Sequence, residues 1–420
     1  MRQTWSYVAL LTVGGHPGGL SMTGRKPVTD WATDFDHLDM AWGQGAVSIW
    51  VDLRERCPVA HTDRFHGAYL PTRYDDIASI AYDTENFSSR MVIVNEIPPA
   101  EIRGIAPPIT SDPPEHTIAR RILLPAFAPR KIEAWIPATR QICRELLDRI
   151  GDADSCDAAV DYAQHVPVKV IAKMLGVPEA DGDQFRHWIH QLLEEGPGDP
   201  RIAAIAGKAL RDYLSDHVAR RREEPADDLL GFLLELRFAG EPLSDRHLVG
   251  TATLLLIAGI DTTWSSIGAA LWHLANHDDD RRRLAAEPGL MTQAIEEFLR
   301  AYAPVTMARY VVNDTEIGGV TMKAGQRVLL PFPAGNRDPR AFDRADEVII
   351  DRAENRHYAF GLGIHRCLGS NLARMEMQVA LEEWMHRHPD FHVADADAVR
   401  WSVGQIRGPR TLPLTLGVRP

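Results

Sequence analysis

The sequence predicts a mainly α fold with a minor β portion, and three observations carry that prediction. Helical periodicity recurs along most of the chain. One segment is long and apolar enough to cross a whole domain as a single helix. The strand signals are few and short. With 420 residues, 45% of them hydrophobic and 25% charged, the chain has ordinary globular composition and the length for a large core with a cavity inside it. Its formal net charge of -12 argues against a general nucleic-acid surface, so no nucleic-acid partner is expected.

Taken in order, residues 1–24 read as a flexible leader. The apolar run Tyr7 to Val13 is too short to span a bilayer, no small-residue cleavage pattern follows it, and Gly14, Gly15, Gly18 and Gly19 surround His16 and Pro17. Met22 is an alternative start. No long linker, low-complexity block or repeat interrupts residues 25–420, which read as one domain. A helical face recurs at Ile132, Trp135, Ile136, Ile142, Leu146 and Ile150, and Ala203 to Arg222 and Leu368 to Arg387 follow the same pattern. The longest candidate starts at Ser244, an N-cap residue type, and ends at His277, a span of roughly 50 Å at 1.5 Å per residue. Its centre, TATLLLIAGIDTT, is apolar on most sides, but Asp261 interrupts the run. A buried central helix is therefore expected rather than a membrane anchor. Between Thr315 and Pro331, Gly-Gly and Ala-Gly turns separate short apolar runs, as small hairpins require.

Four cysteines (Cys57, Cys143, Cys156, Cys367) form neither a disulfide framework nor a zinc-type cluster, which fits a reduced, cytoplasmic compartment. Cys367 stands apart by its neighbours, Phe360-Gly361-Leu362-Gly363-Ile364-His365-Arg366-Cys367-Leu368-Gly369. Two glycines before it permit a tight loop that can approach a flat ligand closely. The apolar pattern Leu368, Leu372, Met375, Val379 begins a helix just after it, and a helix N-terminus stabilises a thiolate. Gly369 leaves room for a macrocycle against the first turn. Such a cysteine suits an axial iron ligand.

This segment resembles the haem-binding signature FGxGxHxCxG of the cytochrome P-450 family, with every fixed position present. Glu297-Phe298-Leu299-Arg300 resembles the family's ExxR, and Ala258-Gly259-Ile260-Asp261-Thr262-Thr263 its oxygen-activation motif. The resemblance implies a fold in which haem b lies between the central helix and the cysteine-loop helix, with Cys367 on the iron. Beside the haem it places Ala258, Gly259, Phe360, Gly361, His365 and Gly369. It gives His116, Arg120, Arg309 and His357 to the propionates, and it makes Glu297, Arg300 and Arg352 a structural triad. Asp261 would relay protons and Thr262 would hydrogen-bond in oxygen activation. Val92, Ile93, Leu254, Ala258, Val305, Thr306 and Ile406 would line an apolar substrate pocket.

The implied activity is a monooxygenase that inserts one oxygen atom from dioxygen into a hydrophobic small molecule. The chain shows no Rossmann fingerprint and no ferredoxin cysteine spacing. Electrons are accordingly expected from a separate ferredoxin with an NAD(P)H-dependent reductase, docking on a basic patch that includes Arg121 and Arg366. Two other readings remain: a peroxygenase using hydrogen peroxide, against which the Asp261–Thr262 pair argues, and a haem protein that only binds a ligand.

Overall fold

A computed structural model describes residues 25–97 and 106–417. The expected leader at residues 1–24 and the alternative start at Met22 lie outside the described residues. The central helix runs over Asp245–Asn276. The Ser244 hydroxyl accepts a hydrogen bond from the His247 N–H at its start, and His277 closes it. Among the described residues it is the one helix long and apolar enough to cross a membrane, and most of it is buried inside the fold. Helices His165–Leu175, Pro200–Glu223 and Ser370–Arg387 pack around it. Their apolar faces meet in one core that includes Leu256, Ile260, Ile267 and Leu271 of the central helix with Ile171, Leu146 and Trp384. Each such side chain contributes about 1.5–3 kcal/mol by leaving water, which sets the central helix as the axis of the molecule.

The apolar face expected as one helix from Ile132 to Ile150 belongs to two, Pro129–Glu133 and Ile136–Ile150. Pro137 marks the break, since a proline in the first turn is tolerated where its missing N–H has no partner to lose. The expected hairpin is present as Thr315–Ile317 with Val320–Met322, turning through Gly318 and Gly319 at positive φ. The next run, Arg327–Pro331, does not extend that hairpin. It pairs antiparallel with Thr306–Val311 and parallel with Ala68–Pro71, inside a five-stranded sheet completed by Val59–Thr62 and Phe87–Ser88. This sheet carries Arg309 toward the core. An isolated bridge, Val305 with Ile406, brings the C-terminal segment beside it.

Candidate active site

The cysteine loop is a set of tight turns. The Cys367 N–H donates to the Phe360 carbonyl at 2.7 Å, the Gly361 N–H to Tyr358 at 2.8 Å, and the Arg366 N–H to Gly363 at 3.2 Å. Gly361 and Gly363 lie at φ +67° and +62°, and a Cβ on Gly363 would sit 2.8 Å from the Ala81 carbonyl oxygen, so this bend admits only glycine. The following helix, Ser370–Arg387, starts at the Gly369 cap. Cys367 is the exposed cysteine of the four, whereas Cys143 is buried and Cys57 and Cys156 are partly buried. Although Cys367 is exposed as a residue, enough protein surrounds its sulfur for burial to raise its thiol pKa. The Gly369 N–H and the charges of Arg120, Arg366 and Arg374 act in the opposite sense.

A cationic wall stands near the loop. The His116 and His365 rings meet edge to face at 4.3 Å, and both nitrogens of His116 and Nε2 of His365 are buried without a hydrogen-bond partner. Arg309 is buried beside them. Its guanidinium donates to the Ala308 carbonyl of its own strand, and burial lowers its pKa to about 10. Burial likewise depresses both imidazoles, His365 to about 2, with Arg309 adding repulsion. Arg120 donates to the Arg366 carbonyl, next to the cysteine. Asp112 fixes this wall by accepting from the Ser88 hydroxyl and the Ser89 N–H. Buried donors in this number, short of acceptors, suit a ligand edge carrying carboxylates.

The central helix leaves one stripe open. Leu254, Ala258 and Thr262 follow at helical spacing and remain partly or fully exposed in a helix that is otherwise mostly buried. The Thr262 hydroxyl donates to the Ala258 carbonyl at 2.9 Å, which leaves its lone pairs free to accept. The helix is unbroken here. Gly259 faces away: a Cβ there would meet Ile171 at 3.3 Å, so Gly259 serves close packing against helix His165–Leu175. Of the expected pocket residues, Val92, Ile93 and Val305 are half-buried, while Thr306 and Ile406 are buried. The Val92 carbonyl accepts from the Ala308 N–H at 3.0 Å, which ties Val92 to the strand Thr306–Val311.

Asp261 is buried, and its partners were not legible in the sequence. Nη2 of Arg410 lies 2.8 and 3.1 Å from its two carboxylate oxygens. The same guanidinium donates to Ser265 at 3.1 Å and to Glu194 at 2.6 Å, and it stacks over the Trp264 ring at 4.3 Å. Glu194 in turn faces His190, which reaches Glu195 at 3.1 Å on the surface. Burial pushes the Asp261 carboxyl up to about 6, with Arg410 restraining the rise. Burial would also raise Glu194, but Arg410 and His190 bring it below the usual carboxylate range.

The structure brings the expected triad together. Both Glu297 oxygens accept from Arg300 at 2.8 Å, and one accepts from Arg352 at 3.0 Å. The Ile349 N–H and the Asn355 amide also donate to Glu297, and Arg300 donates to the carbonyls of Asn336, Ala345 and Glu347. His357 does not join the cationic wall as expected. Its Nε2 is 3.0 Å from Glu296, and Nδ1 accepts from the Ala359 N–H at 3.2 Å, so both nitrogens are already engaged.

These features fit haem. An exposed cysteine in a glycine-shaped loop, partner-poor buried imidazoles with an arginine near them, and an open stripe on the central helix suit an iron porphyrin with two carboxylates. A family model for cytochrome P-450 matches residues 200–395. The mycinamicin IV hydroxylase/epoxidase of Micromonospora griseorubida is 35% identical over 94% of this chain and its own full length. The 6-deoxyerythronolide B hydroxylase of Saccharopolyspora erythraea is 34% identical over 93% of this chain and 99% of its own. Among solved structures, the bacillaene polyketide synthase cytochrome P-450 PksS of Bacillus subtilis superposes with a TM-score of 0.83 at 30% identity, covering 91% of this chain and all of that one. A mutant of the P-450 EryK in complex with erythromycin B gives 0.81 at 31% identity, covering 91% and 98%.

Proposed function

Because this chain belongs to the cytochrome P-450 family, a family of haem b monooxygenases, we propose that it oxygenates a bulky apolar natural product at the stripe Leu254–Ala258–Thr262, with Cys367 as the iron ligand. The single observation that carries this reading is Cys367, exposed in a glycine-shaped loop beside buried, partner-poor imidazoles and the Arg120 guanidinium. When bound, the haem supplies dioxygen activation and transfer of one oxygen atom.

The rest of the chemistry lies with this chain's residues. His116, Arg120, Arg309 and His365 hold the propionates, and Phe360, Gly361 and Gly369 shape the loop on the sulfur side. Glu297, Arg300 and Arg352 fix the segment leading into that loop. Thr262, with its proton committed to Ala258, accepts a hydrogen bond from a protonated group in the cavity. Asp261 carries protons inward. Arg410 cannot release a proton itself, so it acts as a clamp, and proton transfer follows when Asp261 is protonated or leaves the clamp. His190 and Glu195 mark where that route meets solvent. Mostly apolar lining by Val92, Ile93, Leu254, Ala258, Val305, Thr306 and Ile406 favours a hydrophobic substrate. Relatives named for mycinamicin IV, 6-deoxyerythronolide B and vitamin D(3) support a large one.

Electrons come from a separate ferredoxin and its NAD(P)H reductase, in a cytoplasmic setting. Arg121 and Arg366 are exposed and make no ion pair among the described residues, and Arg366 flanks the ligand. An acidic ferredoxin would dock there. The ligand assignment is tested by the reduced carbon monoxide adduct. Wild type should show the red-shifted Soret band of a thiolate haem, and Cys367→His should lose it. Survival of the band in that variant would overturn the reading.

A further inference from the structure

The carboxylate next to the buried triad has a separate set of partners. Glu296 holds Arg374 of the cysteine helix in a two-point pair, at 2.5 and 2.8 Å, and the same carboxylate takes Nε2 of His357 at 3.0 Å. Arg374 lies over the Phe360 ring at 4.4 Å. Phe360 accepts the Cys367 N–H through its carbonyl, and His357 accepts the Ala359 N–H next to Phe360. A closed ring of contacts thus joins helix Met291–Ala301, the cysteine helix and the loop between Phe360 and Cys367. Burial would raise the Glu296 pKa, but Arg374 and His357 bring it down to about 2, so the carboxylate is charged at any ordinary pH. Fork-to-fork arginine–carboxylate pairs fix orientation as well as charge, and a guanidinium over an aromatic face adds about 0.5–2 kcal/mol.

We infer that Glu296, Arg374 and His357 form a second positioning triad, which seats Phe360 against Cys367 and sets how much positive charge the bound iron's thiolate feels. Arg374 is the cation of this triad and Glu296 tempers it. This rests on Cys367 being the ligand. The carbon monoxide band of wild type tests that reading, and the measurement below tests this one.

The measurement is the reduction potential of the substrate-free holoprotein by dye-mediated titration, with the fraction of thiolate-type carbon monoxide adduct recorded alongside. Removing a cation near the sulfur makes electron uptake harder, so Arg374→Gln should lower the potential. Glu296→Gln removes the tempering anion and should raise it. Each shift should change the reduced-to-oxidised ratio at a fixed poise by on the order of three- to tenfold, the size of one charge acting through partly solvated protein. Arg374→Lys, which keeps the charge but not the flat stack, should stay near the wild-type potential while losing part of the thiolate-type adduct. Shifts of the same sign in the two glutamine variants, or none, would overturn the inference. If Arg374→Gln takes up no haem, Glu296→Gln decides alone: a rise supports the triad, and a fall or no change refutes it.

Discussion

Arg410 is the residue whose removal should tell most about Asp261. It pairs with two acidic groups, Asp261 and Glu194, and all three are well shielded from water. Arg410→Met keeps most of the aliphatic stem but removes the guanidinium, and with it both the charge and the stack over Trp264. Breaking a buried ion pair by deleting one partner costs about 3–5 kcal/mol, because the remaining charge is left uncompensated. Unfolding entropy of about 2.1 cal/mol/K per residue, over a chain of this length, makes that a fall in Tm of roughly 3–6 °C.

The pH dependence carries the sharper signature. The Asp261 carboxyl in the folded chain stands at about 6, above its ordinary 3.8. Folding therefore favours its protonated form, and its contribution to stability is complete below about 4 and lost as pH rises through about 6. Without Arg410 its folded pKa rises further, and Glu194, held low in wild type, rises with it. The loss then extends to higher pH. The deficit should be smaller at pH 5, where chiefly the Glu194 pair is lost, and largest at pH 8, where Asp261 is also charged. Thermal unfolding followed by circular dichroism across that range measures this, and adding Asp261→Asn to Arg410→Met should recover part of the deficit. A deficit independent of pH, or strictly additive effects of the two substitutions, would refute the clamp.

Other expectations follow from the same walls. Thr262→Ala should leave haem and substrate binding intact while product per NADH falls and free hydrogen peroxide rises, because the acceptor at the cavity surface is gone. Counting product, peroxide and NADH together checks this, and wild-type coupling on the true substrate would exclude the role. Arg366→Glu should slow electron transfer from the proposed ferredoxin donor several-fold and flatten its dependence on salt, since screening acts on the docking charge. Stopped-flow reduction at two ionic strengths reads both effects, and an unchanged rate would remove the patch.

What could be read from the sequence was local. The central helix was legible from Ser244 to His277 because its cap and its apolar length lie on one segment. The cysteine loop was legible because all its chemistry falls within ten residues. Pro137 was a visible signal for the break before Ile136, but the apolar face continues across it through Ile132 and Trp135 and hid it. The parallel pairing of Arg327 with Ala68 has no local signature, since the two strands are joined only by the fold. Arg410 is equally silent: nothing around it in Gly408-Pro409-Arg410-Thr411 indicates Asp261 or Glu194. His357 shows the limit of register as a guide. Its place three residues before Phe360 suggested the propionates, but which acid or base an imidazole meets is set by the neighbouring helix, and Glu296 was there first.

Glu296 and Glu297 explain how a glycine-bent loop keeps one geometry. Glycine gives up more backbone freedom on folding than any other residue, about 0.5–1 kcal/mol each relative to alanine in regular structure, and the loop contains Gly361, Gly363 and Gly369. Successive helix residues point about 100° apart, so adjacent carboxylates on Met291–Ala301 reach different neighbours. Glu297 draws in Arg300, Arg352, the Ile349 N–H and Asn355, and so fixes the segment that leads into the loop. Glu296 draws in Arg374 and His357, and so fixes the helix that leaves it and the turn at Phe360. The cysteine is thus held from the chain before it and the chain after it by one short helix. The position of the sulfur should therefore depend on both carboxylates rather than on the loop sequence alone.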